Sequence, residues 1–185
     1  PLHGNHWVAI TGKPLAATAG ALIFSRGGNA VDAACAMLAA TATMWDTLGW
    51  GGETQALIHD PRTGKVIAIN ALGAAPTGAT PAYFNSLGMS HPPEYGPLAA
   101  VTPGTAGGLL VMLADYGSMS LEEVLAPALE MANGYPIEQN RAGSIEAYKR
   151  LLSTWNDSRR VLLPNYNPAN PNEWAAPYPG QVFSQ

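Results

Sequence analysis

The chain has 185 residues, enough for one domain of ordinary size, and it carries few charges for its length. Only 12% of the residues are charged, against a usual share of about a quarter, and the formal net charge is −4. Binding to nucleic acid is not expected, because no basic run exceeds two residues. A membrane-spanning helix is not expected either, because no apolar run approaches the ~20 residues of a membrane span. Such a low charge content has two explanations. Either much of the surface is covered by a partner chain or by a missing part of the protein, or the protein is a neutral exported one rich in Ala and Gly.

Two amphipathic helices joined by a tight corner are predicted over about 15–26 and 30–44, after an extended or irregular lead-in. One of the two glycines at 27–28 supplies the positive φ that ends a helix. Asn29 is placed to cap the second helix, and Asp32 falls at the third position of that helix, near its positive end.

A β-hairpin is predicted next, with strands over about 53–59 and 65–70 around turn residues 60–64. Both faces of the second strand are largely apolar, which predicts that this strand is covered on both sides. Residues 71–100 are rich in Gly and Pro, and they are predicted to form a loop with one short helical turn near 81–87.

Three further helices are predicted in the second half of the chain. One covers about 103–116, the next opens at a capping box of Ser120 and Glu123, and the last covers about 138–155. The prolines and asparagines of residues 164–180 predict an irregular surface excursion, after which another extended piece begins. Because that is a poor place for a domain to end, we interpret residues 1–185 as the N-terminal part of a single larger domain.

The sequence contains no complete set of groups for catalysis or metal binding. There is no nucleophile elbow, phosphate-binding loop or dinucleotide fingerprint. His3 and His6 are close enough to share a metal, and His59 beside Asp60 suggests a dyad, but a solvated terminus and an exposed turn explain these residues better. Glu53, at the start of a strand predicted to be buried, is expected to have a structural partner. Neither a catalytic residue nor a metal site is therefore predicted in this chain.

The single cysteine of the chain, Cys35, has no partner for an internal disulfide. Helical spacing places it on the inner face of the second predicted helix. We therefore expect Cys35 to fill space in the core.

Five motifs occur in the order found in one enzyme family, and each is weak alone. They are Pro14 to Gly20, Gly27 to Ala34, Leu48 to Gly52, Ala75-Pro76 and Val101 to Gly108, with Tyr116-Gly117 and Pro127-Ala128 continuing the pattern. Together, over about residues 8–140, they resemble the γ-glutamyltransferase family of N-terminal-nucleophile hydrolases.

The resemblance implies an α+β fold, a four-layer αββα sandwich, to which this chain supplies helices and a strand pair of one sheet. Members of the family are made as a precursor that cuts itself into a large and a small chain. Their nucleophile is the Thr that begins the small chain, so the resemblance implies a catalytic Thr beyond Gln185 and none within this chain. The implied partners are that small (β) chain and a small-molecule amide substrate, with no cofactor. Location in the periplasm or outside the cell is common in the family, and a cytoplasmic location stays open.

The resemblance also points to a substrate-binding segment after the second strand. True γ-glutamyl enzymes place there, a few positions before an Ala-Pro pair, an Arg that grips the substrate α-carboxylate. Here residues 70–76 contain no Arg, and the nearest one, Arg62, lies in the turn at the far end of the strand. Loss of such a charge-assisted contact weakens binding strongly, which favours an acylase with a different acyl group. The predicted substrate-binding residues are Asn70, Leu72, Gly73 and Ala74.

The leading interpretation is therefore part of a self-processing amide hydrolase or acyltransferase that is acylase-like. A true γ-glutamyltransferase or glutathione hydrolase is the first alternative. The second is a catalytically degenerate member that kept the scaffold for binding or structure, and the third is an unrelated helix-and-sheet scaffold.

Overall fold

The chain folds as a mixture of α-helices and short antiparallel strand pairs, which is the predicted α+β class. The computed structural model describes residues 1, 3–44 and 48–184, and the chain forms two compact units, Pro1–Ala128 and Leu129–Gln185. The boundary between the units lies inside one helix. Among the described residues, no helix has both the length and the apolar character that a membrane span requires.

The first unit consists of helices packed on a β-hairpin. Its elements are α1 (Pro14–Ser25), α2 (Ala30–Thr43), β1 (Thr54–Asp60), β2 (Lys65–Ala71), α3 (Pro81–Ser86), a 3-10 turn (Pro97–Ala99) and α4 (Thr105–Tyr116). These bounds confirm the predicted helices and hairpin to within one or two residues. Helix α5 (Leu121–Asn133) crosses the unit boundary, and the hydrogen bonds between Ser120 and Glu123 confirm its capping box.

The second unit combines two helices with short strand pairs. Its elements are β3 (Tyr135–Pro136), α6 (Gln139–Leu152), α7 (Asn156–Leu162), β4 (Asn165–Asn167), β5 (Asn170–Ala175) and β6 (Val182–Phe183). The single helix predicted over 138–155 is therefore shorter than expected and is followed by a separate one. The extended piece predicted after residue 180 is confirmed for 182–183, which pairs with β3, and its last residue, Gln185, lies outside the described residues.

The segment 164–180, predicted as an irregular excursion, is partly regular. Strands β4 and β5 pair antiparallel around the two-residue loop of Pro168 and Ala169. Pro168 lies in that loop, outside the paired positions, where its missing N–H removes no hydrogen bond between the strands. The hairpin is held by the stacked rings of Tyr166 and Trp174, 4.7 Å apart, with the Arg159 guanidinium 5.1 Å from the Trp174 ring. The prediction of an irregular segment was based on the Pro and Asn content and took no account of that aromatic pair.

Helices α1 and α2 pack closely because the residues between them are small. A Cβ added to the buried Gly20 would lie 2.8 Å from the side chain of Met37, so even Ala would displace that side chain. Between the helices, Gly27 has a φ of 87°, a conformation that favours glycine. The structure thus confirms the corner and assigns the positive φ to Gly27 rather than to Gly28.

Asn29 caps α2 as predicted. Its side-chain oxygen accepts hydrogen bonds from the N–H groups of Val31 and Asp32, at 2.8 and 3.0 Å. The Asp32 carboxylate in turn accepts from the N–H of Asn29 at 2.8 Å, which completes a capping box.

The completely buried Asp32 carboxylate also binds the connection between α4 and α5. It accepts hydrogen bonds from the N–H groups of Ser118 and Met119, at 2.9 and 3.1 Å, and from the Ser118 hydroxyl at 2.6 Å. The Asn29 amide donates to the carbonyl oxygen of Tyr116 at 2.8 Å. The cap of one helix therefore also holds two others in place.

The β1–β2 hairpin has one face toward the helices and one face exposed. Thr54 pairs with Ala71 at its open end, and α4 packs on both strands. Side chains alternate between half-buried and exposed along β1, and on the outer face Leu57 is 77% and Val66 62% exposed. The prediction that the second strand is covered on both sides is wrong for this chain, because its helices supply only one covering layer.

Replacing Asp32 by Asn is expected to lower the free energy of unfolding by about 3 kcal/mol. The amide accepts fewer hydrogen bonds, and it turns its own N–H donors toward those of Ser118 and Met119. The unfolding midpoint of the full-length protein in urea or on heating measures the effect. Asp115→Asn is the matched control, since Asp115 is exposed on α4 and surface changes stay within ~0.5 kcal/mol. Equal stability of the two variants would contradict this role of Asp32.

The contribution of Asp32 to stability is expected to disappear in acid. Burial raises the pKa of Asp32, but the hydrogen bonds from Ser118, Asn29 and Met119 outweigh burial and hold that pKa below its ordinary value. The contribution is then complete above the unfolded-state pKa of about 3.9 and is lost as the pH falls through the folded-state pKa. The difference in unfolding midpoint between wild type and Asp32→Asn should be constant from about pH 7 to 5 and shrink below about pH 4. A difference that persists undiminished in stronger acid would show that the ionised carboxylate is not the stabilising group.

Candidate substrate-binding site

Three segments that contain glycine meet at the open end of the β1–β2 hairpin: 49–52, 71–74 and 101–105. The carbonyl oxygen of Gly52 accepts hydrogen bonds from the N–H groups of Gly104 and Thr105, at 3.0 and 3.1 Å. These bonds bring the start of α4 against the turn that precedes β1.

The four predicted substrate-binding residues lie where β2 leaves the sheet. Asn70 pairs with Gln55 in the ladder, and its side-chain oxygen accepts a hydrogen bond from the Leu72 N–H at 3.2 Å. The Leu72 side chain is 46% exposed, Ala74 is also exposed, and Gly73 is half-buried. Asn70, Leu72 and Ala74 are thus accessible to a ligand, whereas Gly73 faces a neighbouring segment.

Residues 71–74 lie against residues 101–108 at distances that only glycine allows. The Thr102 N–H donates to the Ala74 carbonyl oxygen at 2.9 Å. A Cβ added to Gly73 would lie 2.0 Å from the carbonyl oxygen of Thr102, and one added to Gly108 would lie 2.5 Å from the Ala71 Cβ. Sequence reasoning treated the glycines of the 101–108 motif as the opening of a helix and missed this contact. The repetition of glycine in both segments is the signal that could have found it.

The predicted substrate-binding segment supplies no cation of its own, because residues 70–76 contain neither Arg nor Lys. Arg62 lies at the turn end of the hairpin, where it is 82% exposed and its guanidinium lies 3.2 Å from the Asp60 carboxylate. A strand of seven residues, the length of β2, separates that turn from the site, or roughly 20 Å. Arg62 therefore lies outside the predicted site.

The remaining candidates from the sequence have structural explanations. Asp60 accepts hydrogen bonds from the backbone of Arg62 and the hydroxyl of Thr63, so it shapes the turn rather than forming a dyad with the exposed His59. Glu53 is exposed, so burial does not impose the structural partner that was expected for its carboxylate. In the described part of the chain, no group of three His, Cys, Asp or Glu side chains is placed to hold a metal ion.

A cleft of about 810 Å³ lies near the turn end of the hairpin, between β1 and the helices. Its walls are mainly apolar and include Val31, Ile58 and Met112, with Asp115 and Arg62 among its polar lining residues. None of the four predicted substrate-binding residues lines it, so this cleft is separate from the candidate site.

The chain matches the family described as Gamma-glutamyltranspeptidase over residues 16–179. It is 33% identical over 174 residues to a glutathione hydrolase proenzyme of Bacillus subtilis (strain 168), which covers 89% of this chain and 29% of that protein. It is 31% identical over 185 residues to the Acylase ACY 1 proenzyme of Pseudomonas sp. (strain SE83), which covers 92% of this chain and 32% of that protein. Among solved structures, the γ-glutamyltranspeptidase of Helicobacter pylori superposes with a TM-score of 0.88 at 30% identity, over 100% of this chain and 52% of that chain.

These similarities confirm the predicted fold, which is that of the N-terminal-nucleophile hydrolases. The chain belongs to the γ-glutamyltranspeptidase family, as its motifs predicted. Its relatives are enzymes that bear the names of hydrolases and acylases, and several are called proenzymes. The chain spans only 29% and 32% of the lengths of the two curated relatives named above.

Cys35 is expected to resist alkylation in the folded protein. Its thiol is buried in the core, where Sγ donates to the carbonyl oxygen of Leu109 at 3.8 Å. Burial, together with the charge of Asp32, raises the pKa of Cys35 to about 11, so little reactive thiolate exists near neutral pH. Iodoacetamide at about pH 8 should label the Cys35 peptide at least about tenfold more slowly in the folded than in the urea-unfolded protein, as followed by mass spectrometry. Equal rates would show that the thiol is accessible.

Proposed function

We propose that this chain is the N-terminal part of the large chain of a self-processing amide hydrolase of the acylase type. One observation carries the proposal: where the family resemblance locates a carboxylate-binding Arg, this sequence has Leu72 and Ala74. Both side chains are exposed at the open end of the hairpin. An apolar pair at that place favours an apolar acyl group, whereas an α-carboxylate would lack the bidentate partner that a guanidinium supplies.

Arg62 does not replace the missing cation. It lies about 20 Å away along the hairpin, farther than the screening length of about 8 Å at physiological ionic strength. Its charge is also neutralised locally by Asp60. A substrate carboxylate at Leu72 would therefore gain little from it.

The reaction proposed follows from the family resemblance. A Thr at the start of the small chain of the same precursor, beyond Gln185, attacks the amide carbonyl while its own α-amino group accepts the proton. The C–N bond breaks, the amine leaves with the proton, and the acyl group stays on the Thr oxygen until water or a second amine takes it. Residues 70–74 would contact the acyl group during these steps, and the proposal requires no cofactor.

Glutathione hydrolysis is the second candidate. It is favoured by the 33% identity to the Bacillus subtilis protein that bears this name. It requires a cation for the glutamyl carboxylate from a part of the protein other than residues 70–76. Comparing a γ-glutamyl anilide with an anilide of a straight-chain fatty acid separates the two candidates, because only the first carries an α-carboxylate.

Leu72→Arg and Ala74→Arg are each expected to shift substrate preference toward the γ-glutamyl anilide by about tenfold or more, because the new guanidinium contacts the carboxylate. The ratio of kcat/KM values for the two anilides measures the shift. Leu87→Arg is the matched control, since Leu87 is also 46% exposed but follows α3.

Two results would contradict the proposal. If neither Arg variant changes the preference or the activity, residues 72 and 74 do not line the acyl site. If purified full-length precursor yields no second band on a denaturing gel after incubation, the protein does not process itself and the proposed Thr mechanism fails.

A further inference from the structure

Two glycines hold the backbone on either side of Leu72. A Cβ added to Gly73 would lie 2.0 Å from the carbonyl oxygen of Thr102, and one added to Gly104 would lie 2.0 Å from the carbonyl oxygen of Ala71. Neither glycine has a positive φ, so the close approach of the two main chains is what requires glycine. We call Gly73 and Gly104, with the carbonyl groups that face them, the glycine clamp.

Hydrogen bonds hold the same short segment. The Leu72 N–H donates to the side-chain oxygen of Asn70 at 3.2 Å, and the Thr102 N–H donates to the carbonyl oxygen of Ala74 at 2.9 Å. Leu72 is thus held at its own N–H, and the chain is held again two residues later at the Ala74 carbonyl. Its side chain alone stays accessible.

Helix α4 supports the clamp from the buried side. Thr105, which begins the helix, is completely buried and accepts a hydrogen bond from the Thr54 hydroxyl at 3.2 Å. One turn further, Gly108 is buried against the side chain of Ala71, where an added Cβ would lie 2.5 Å from the Ala71 Cβ. Because Gly108 already lies close to Ala71, the backbone at residues 71–72 cannot shift toward α4.

We propose that Gly73 and Gly104 are positioning residues, which set the place of Leu72 in the acyl site; this inference rests on the proposed function. Relief of a 2.0 Å contact to the ordinary minimum of 3.4 Å needs a shift of about 1.4 Å. A misplacement of about 1 Å in a binding or catalytic group is enough to cost a large factor in rate. The clamp acts on the substrate only through residue 72.

The test uses the full-length, processed enzyme and four Gly→Ala variants. Gly73→Ala and Gly104→Ala should lower kcat/KM for the straight-chain acyl anilide by about tenfold or more, mainly through KM. Gly78→Ala and Gly107→Ala are the matched controls, since an added Cβ meets nothing within 4 Å at either position. These controls should stay within about twofold of wild type.

A double-mutant cycle with Leu72→Ala separates positioning from a general structural role. If Gly73 acts through Leu72, Gly73→Ala should cost much less in the Leu72→Ala background than in wild type. Equal costs in both backgrounds would overturn the clamp proposal and leave the proposed acyl site intact. If Leu72→Ala alone changes neither KM nor substrate preference, the acyl site itself is misplaced and both proposals fall.

A milder variant keeps the proposal testable if the alanine variants fail to fold. Asn70→Ala removes the acceptor for the Leu72 N–H at an exposed position, and it should show the same dependence on residue 72. A cost of Asn70→Ala that is independent of residue 72 would overturn the proposal.

Discussion

The hydrogen bonds of the Asp32 carboxylate connect parts of the chain that are 86 and 87 residues apart, and much of the first unit depends on them. Desolvation of a carboxylate is costly, so the group is stable inside the core only because backbone and hydroxyl donors surround it. Three of these donor groups belong to Ser118 and Met119, in the connection between α4 and α5. The cap that begins α2 therefore also decides where α4 ends.

The position of α4 also affects the candidate site, because the helix extends from the Asp32 hydrogen bonds to that site. The helix runs from the Asp32 network at its C-terminal end to Thr105 and Gly108 at its N-terminal end, where it contacts β2. Small residues along this path let main chains approach within distances that larger side chains would prevent. The backbone of the candidate site is therefore closely packed, although the side chains proposed to contact the substrate are few and exposed.

Local features of this fold could be predicted from the sequence because local residues determine them. The corner at Gly27, the cap at Asn29 and the capping box before α5 each depend on residues three or four positions apart. The partners of Asp32 at Ser118 and Met119 could not be predicted, since no sequence pattern records a contact across so many residues. The exposed face of the hairpin was missed for a related reason, because an apolar strand does not reveal how many layers cover it.

The candidate site was predicted from the family resemblance rather than from the chemistry of its side chains. Residues 70–74 contain no titratable side chain, so composition and spacing alone offered nothing to mark them. What distinguishes them in the structure is the approach of another main chain at Gly73, for which the glycines of the two segments are the only trace in the sequence. That residues 70–76 contain no Arg, by contrast, can be read directly from the sequence.

The outer face of the hairpin has a practical consequence for anyone producing this segment in isolation. Within the described residues β1 and β2 pair only with each other, and they present Leu57 and Val66 to solvent beside unpaired strand edges. Such a surface recruits further copies edge to edge, so recombinant material is expected to collect in inclusion bodies. Lysine in place of Leu57 would discourage that stacking without touching the helix-covered face.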